Sequence, residues 1–223
     1  MTKLIKVNPK KPENSKIRAA TKVLRGGGLV AFPTETVYGL GANALDAKAV
    51  KKIFEAKGRP SDNPLIVHIA DRKEVYRLAE EIPKDAECLM ERFWPGPLTL
   101  IFKKSKIVPK ICTGGLDTVA IRMPANKIAL ALIKEADMPI AAPSANSFGK
   151  PSPTSAQHVT RDLDGKLDII LDGSETDIGL ESTVLDLTAT TPTLLRPGGV
   201  NLEELTDLLG TIAQHQTIKG KKQ

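Results

Sequence analysis

Residues 47–69, AKAVKKIFEAKGRPSDNPLIVHI, contain the pattern that decides the fold class. Asp46 is a natural N-cap, and Val50, Ile53 and Phe54 recur at i, i+3 and i+4, which predicts a helix over 47–57 with one apolar face toward a core. Gly58 is a helix stop, residues 59–64 form a Pro-bounded loop, and 65–69 are a short apolar run that reads as a buried strand. Helix, loop and buried strand in succession make one step of an α/β fold.

Outward from that step the alternation continues. Strands are expected at 29–33, 65–69, 98–102, 118–123, 139–143, 168–171, 182–187 and 193–195. Helices are expected at 15–25, 47–57, 73–80, 85–93, 127–135, 155–163 and 202–208. This interleaving predicts a single α/β domain over 1–210, a twisted open mixed sheet flanked by helices, with a basic tail over 211–223. No internal repeat and no long polar linker divides the middle of the chain.

Composition narrows the function classes. In 223 residues, 41% hydrophobic and 26% charged content is that of a globular protein. No run approaches the roughly 20 apolar residues that span a bilayer, so a cytoplasmic protein with no membrane partner is expected. Cys88 and Cys112 are too few for a disulfide scaffold and are read as buried reduced thiols. His68, His158 and His215 lack the HExxH spacing of a zinc protease. The net charge of +6 is unevenly placed: six cations against Glu13 leave +5 in residues 1–18, three lysines give +3 in 211–223, and 19–210 carry −2.

Two kinds of segment could bind a ligand. Lys57 is the i+7 position of the apolar stripe that begins at Val50, and a break at Gly58 lets Lys57 and Arg59 converge, an arrangement suited to a polyphosphate. No GxxxxGK[ST] loop is present, and the GxGxxA run from Gly39 begins too far after its strand for a dinucleotide fold. Its glycines are read as serving turns and close packing. Residues 33–40 and 143–147 are hydroxyl-bearing loops after apolar strands. Because ligands of open α/β sheets gather at the carboxyl ends of strands, both loops are expected to border one crevice.

Taken together, FPTETVYGL (32–40), KGRP (57–60), NPL (63–65), FWPGPLT (93–99), VAIRMP (119–124) and APSAN (142–146) resemble the YrdC family of threonylcarbamoyl-AMP synthases, over about residues 15–200. The resemblance implies a large ligand crevice and a nucleotidyltransferase reaction. In it threonine, bicarbonate or CO2, and ATP form threonylcarbamoyl-AMP and pyrophosphate. The product then passes to a tRNA threonylcarbamoyl-transferase complex that modifies ANN-decoding tRNAs. The family's KxR and SxN signatures fall on Lys57, Arg59, Ser144 and Asn146, with Lys57 and Arg59 implied to be catalytic. ATP is implied to meet Lys57, Arg59, Asn63, Thr118, Ser144, Asn146, Ser152 and Arg196, and threonine to meet Thr36, His68, Arg122, the backbone of Ala142, and Ser182. Magnesium is expected to come with ATP.

The residue types suit those roles. Arg122 can grip a carboxylate bidentately, and Arg59 and Arg196 can grip phosphate. Arg122 on an apolar strand is costly to bury unpaired, which favours an inward ligand role over a structural salt bridge. His68 among Ile66, Val67 and Ile69 fits a core histidine equally well, and Trp94 reads as core and turn. Family members occur as a lone catalytic domain or with a linked C-terminal domain. The alternative from another class is a non-catalytic module for double-stranded RNA or tRNA, approached through the basic ends.

Overall fold

The computed structural model describes residues 1–215, and its strands are β1 (Lys3–Lys6), β2 (Val30–Pro33), β3 (Tyr38–Asn43), β4 (Ile66–His68), β5 (Leu98–Lys103), β6 (Thr118–Arg122), β7 (Ile140–Ala141), β8 (Ile169–Asp172), β9 (Thr183–Asp186), β10 (Thr193–Arg196) and β11 (Ala213–Gln214). They join into one mixed sheet in the order β1-β8-β2-β3-β7-β4-β6-β5-β9-β10-β11. The helices are α1 (Asn14–Arg25), α2 (Ala47–Lys57), α3 (Val75–Leu78), α4 (Lys84–Phe93), α5 (Lys127–Ala136), α6 (Ala156–Leu163) and α7 (Leu202–Leu209). The expected α/β domain with an open mixed sheet is the one observed.

A strand's side chains alternate between faces, so each strand feeds two environments. Tyr38, Leu40, Val67, Val119, Ile121, Leu98, Leu100 and Leu185 point to a face sealed by α2, α4, α6 and α7, where they join Ile53, Phe54, Leu89, Val159 and Leu205 in the main core. The opposite face is sealed at one end only. There α1 and α5 pack on each other, and Ile17, Leu24, Ile128 and Leu132 meet Val30, Phe32, Ile140 and Leu171. Over β4, β6, β5, β9 and β10 that second face carries Ile66, His68, Ala120, Arg122, Ile101, Val184 and Leu195, which line an open crevice. The crevice therefore lies over the face of the sheet and takes in residues at or just past the carboxyl ends of β2, β4, β6, β7 and β10. Both hydroxyl-bearing loops do border it, through Thr34, Thr36, Val37, Pro143 and Ser144.

Three strands depart from expectation. Residues 38–43 form a strand antiparallel to β2, where the glycines were expected to serve turns as well as close packing. A Cβ on Gly41 would lie 2.7 Å from the Phe32 ring and 2.8 Å from Ile140 Cγ2, so only the close-packing half of that expectation stands. Residues 3–6 form the edge strand β1, parallel to β8, with exposed lysines of the kind that discourage further pairing. Residues 213–214 add β11 to β10, so sheet continues into the segment expected to be a tail, whose residues 216–223 lie outside the described residues. The helix expected over 73–80 is a 3-10 turn at Arg72–Glu74 followed by the short α3, capped by Asp71 and Glu74.

Cys112 is buried, and burial pushes its thiol up to about 12, whereas Cys88 is exposed, against expectation. Trp94 is buried and its indole N–H donates to the Leu98 carbonyl at 2.7 Å, so it is core and turn as read. Among the described residues no helix is long and apolar enough to cross a membrane.

Substituting Gly41 tests the close packing of β3 on β2. Gly41→Ala is expected to cost about 1–3 kcal/mol of stability by overpacking, measured by urea unfolding. A fully neutral substitution would contradict this placement of Phe32 and Ile140.

Candidate active site

The site is assembled where α2 stops. Asp46 caps the helix by accepting from the Lys48 amide, and the last helical residue, Lys57, points inward at 3% exposure. Gly58 has φ of 63°, a left-handed cap that reverses the chain, and its open surroundings make that requirement one of conformation and not of space. Past that reversal the two cations expected to converge take different partners while remaining close enough to repel each other. Lys57 Nζ donates to the carbonyls of Ser144 and Asn146 and lies 3.4 Å from Asn146 Oδ1, so it pins the 143–146 loop from beneath. Arg59 lines the crevice, its Nη2 donating to the Pro64 carbonyl at 3.1 Å, while its buried Nε has no protein partner.

The loop held by Lys57 is tied down elsewhere too. Leu40 N donates to Pro143 O and Ala145 N to Tyr38 O, both at 2.8 Å, which locks it to β3. Asn146 Nδ2 donates to the carbonyls of Ser147 and Lys150 at 2.9 and 2.8 Å. Ser144 faces the crevice; Asn146, buried and fully engaged, does not line it. Removal from water pushes the Lys57 ammonium down to about 7, with Arg59 adding to the shift. Burial also lowers Arg59 and Arg196 from the usual guanidinium range.

A second group sits at the other end of the crevice. The parallel register of β4 and β6 pairs His68 with Arg122 on the same face. Arg122 Nε donates to Gly96 O at 3.1 Å and Nη1 to Thr36 Oγ1 at 2.9 Å, while Nη2 lies 2.6 Å from Glu35 Oε1. That last contact is off hydrogen-bond geometry, so neither Glu35 oxygen has a hydrogen-bond donor, and the pair is held by charge alone. Arg122 thus faces the crevice, as expected of an inward side chain, and also forms the buried salt bridge that the sequence weighed against a ligand role. His68 lines the crevice with Nδ1 unpartnered, and burial, aided by Arg122, pushes its imidazole down to about 3, so it is neutral at physiological pH.

Between these ends stands a third group on β9, β10 and the preceding loop. Arg196 Nε and Nη2 donate to Ser182 O at 3.1 and 2.9 Å, and Nη1 lies 2.5 Å from Glu181 Oε2. Ser152 Oγ donates to Glu181 Oε1 at 2.9 Å, and Ser182 Oγ lies 2.7 Å from Thr99 Oγ1.

Of the residues named from sequence, Thr36, Arg59, Asn63, His68, Arg122, Ala142, Ser144, Ser182 and Arg196 come together on one crevice of about 260 Å³. Lys57 and Asn146 support it from behind, and Ser152 reaches it through Glu181. Thr118 does not join the cluster. It shares a face of β6 with Arg122 but stands four residues away, roughly 13 Å along the strand, beside Lys103, Lys104 and Lys106. Sequence reading missed Glu35 and Glu181. A carboxylate in the apolar-flanked PTET run was the available signal for Glu35; nothing local marked Glu181.

A family model named Sua5_yciO_yrdC and described as "Telomere recombination" matches residues 22–198. The chain is 62% identical to the threonylcarbamoyl-AMP synthase of Pyrococcus abyssi over 221 residues, covering 99% of this chain and 65% of that protein. It is 58% identical to the enzyme of the same name from Bacillus subtilis over 198 residues, covering 88% of this chain and 57% of that one. Its structure matches that of P. abyssi Sua5 complexed with L-threonine at a TM-score of 0.96 and 61% identity, covering 99% of this chain and 64% of the other. The chain thus spans 57 to 65% of the length of these relatives.

The Glu35–Arg122 pair is open to a direct test. Glu35→Gln leaves a buried guanidinium uncompensated and is expected to cost about 3–5 kcal/mol in urea unfolding, with much of the loss recovered in Glu35→Leu/Arg122→Met. A single variant as stable as the parent would show the pair to be unimportant to the fold.

Proposed function

The chain belongs to the Sua5/YciO/YrdC family, and from that premise we propose that its crevice joins L-threonine, bicarbonate or CO2, and ATP into threonylcarbamoyl-AMP and pyrophosphate. The observation that carries the proposal is that three guanidiniums share one crevice, Arg122 beside His68 on one side and Arg59 beside Pro64 on another, with Arg196 between them. An amino acid's carboxylate and a nucleotide's phosphates need such separate poles in one space.

In this reading Arg122 and Thr36 take the threonine carboxylate, since Arg122 presents a fork already oriented by Gly96, Thr36 and Glu35. His68, neutral, lines the same side of the crevice as Arg122, within reach of the threonine hydroxyl or amine. The amine attacks the carbon of CO2, which bicarbonate supplies by losing water, and gives up a proton to solvent; a carbamate oxygen then attacks the α-phosphorus as pyrophosphate leaves. No protein nucleophile is needed, so the chain's contribution is position and fixed charge. Arg59, Arg196, Asn63 and Ser144 meet the nucleotide, and Lys57 acts on it through the loop it holds. Glu181 is the one carboxylate lining the crevice among the described residues, and magnesium is expected to enter with ATP. The product passes to a tRNA threonylcarbamoyl-transferase complex. A non-catalytic RNA-binding module is less well supported, because the cations here are recessed and internally paired, where a phosphate-backbone surface displays them.

Purified protein incubated with ATP, threonine and bicarbonate is expected to release pyrophosphate and threonylcarbamoyl-AMP in strict dependence on threonine; no product across pH and magnesium would overturn the proposal. Arg122→Lys is expected to raise the threonine KM at least about tenfold with little change in the ATP KM, because a point charge replaces a bidentate fork. Above pH 7 the Lys57 amine is largely uncharged in the free protein, and a triphosphate nearby favours the ammonium. ATP binding at pH 8 should therefore take up a fraction of a proton and weaken as pH rises further. Calorimetry in buffers of different ionisation enthalpy checks the uptake, which Lys57→Met should abolish.

A further inference from the structure

Arg196 spends three of its donor contacts on Ser182, two on the carbonyl and one, at 3.1 Å, on the hydroxyl; Nη1 is taken by the Glu181 carboxylate at 2.5 Å. The other carboxylate oxygen accepts from Ser152 at 2.9 Å. Arg196 and Ser152 are two of the groups expected to meet the nucleotide, and in the structure both are committed to one side-chain anion. The field of that anion also reaches Lys57 and Arg59, where it opposes the downward pull of burial on each cation.

Glu181 is built to move. Its side chain is 37% exposed, and it ends an exposed loop, residues 174–181. The backbone of that loop is tied by Ile178 N to Glu35 O at 2.9 Å, Gly179 N to Thr36 O at 3.1 Å, and Gly199 N to Glu181 O at 3.2 Å. Backbone held and side chain half in water means that the carboxylate can swing off Arg196 without unfolding anything. A single half-exposed ion pair is weak, and a polyphosphate carries several charges against its one.

We infer that Glu181 is an exchange anion: it occupies the phosphate position on Arg196 and Ser152 in the free protein, yields it to the triphosphate, and returns to it as pyrophosphate leaves. This rests on the crevice being the nucleotide site. An internal anion that competes for the same donors weakens substrate and product alike. For the substrate that loss is met by concentration; for the product it speeds departure, a step that often limits turnover. Ser152 then has a defined part, holding the carboxylate in reach while the site is empty.

The exchange has a signature that a structural role would not produce. Glu181→Gln keeps the shape and removes the charge, and on an exposed loop it is expected to leave the melting temperature unchanged. Calorimetric titration with inorganic pyrophosphate and tripolyphosphate, without threonine or bicarbonate, is expected to show about fivefold tighter binding or more in the variant. In steady state, KM for ATP and kcat should fall together as pyrophosphate release slows. Weaker or unchanged binding in Glu181→Gln, with the wild type binding normally, overturns the exchange alone and makes Glu181 an orienting group for Arg196. Failure of both proteins to bind either polyphosphate overturns the nucleotide site and the exchange with it.

Discussion

A sheet has two faces to bury, and in this chain helices are available for about one and a half. The main core closes one face along its length, and α1 with α5 closes the other only from β1 to β7. Everything functional follows from the part left bare. A strand buried on both faces must be apolar on both. One bare on a single face can place a polar residue at every second position while the alternate residues hold the core. β6 shows this most directly: Val119 and Ile121 lie in the core, and Ala120 and Arg122 floor the crevice. β4 repeats it with Val67 against His68, and the parallel register then sets imidazole beside guanidinium. The crevice is the unfinished half of the fold, and its side chains inherit the rigidity of the strands that carry them.

Charge is the second constraint. Three guanidiniums and an ammonium in a partly dry space repel one another and lose hydration, as the lowered Lys57, Arg59 and Arg196 show. Each is steadied differently. Lys57 is surrounded by carbonyl dipoles, Arg122 has a buried carboxylate, Arg59 has backbone carbonyls, and Arg196 has a half-exposed carboxylate and the Ser182 carbonyl. The permanence of these partners grades with burial. Glu35 lies deep beside Arg122, whereas Glu181 lies half-exposed at the rim beside Arg196. Fixed charge in place before the reaction is what electrostatic catalysis requires, because no dipole then has to reorient during the chemical step.

Much of this was legible in the residues, and what was not has physical causes. Strands rich in branched apolar residues, such as 98–102 and 118–123, announce themselves by composition. The strand at 38–43 does not, because Gly39 and Gly41 remove half its pattern, although Tyr38, Leu40 and Ala42 still alternate. β1 carries lysines at both ends, as an exposed edge can. The site residues were legible as types: nine of those named gather on one crevice. Their division of labour was not. Whether Lys57 touches a ligand or holds a loop depends on where Gly58 sends the chain, and whether Arg122 is receptor or salt bridge depends on Glu35, 87 positions away in sequence and adjacent only after folding.

The net charge of +6 has its meaning in the same distinction between total and placement. Its excess lies at the two ends of the chain, and the long middle is slightly acidic. Within that middle, positive charge is concentrated where the helices leave the sheet uncovered. A diffuse basic surface attracts any polyanion at range, and salt screens that attraction. Recessed guanidiniums with fixed partners act only at contact, and only on an anion small enough to enter. The crevice therefore selects by size before it selects by charge, a filter that a diffuse basic surface does not impose.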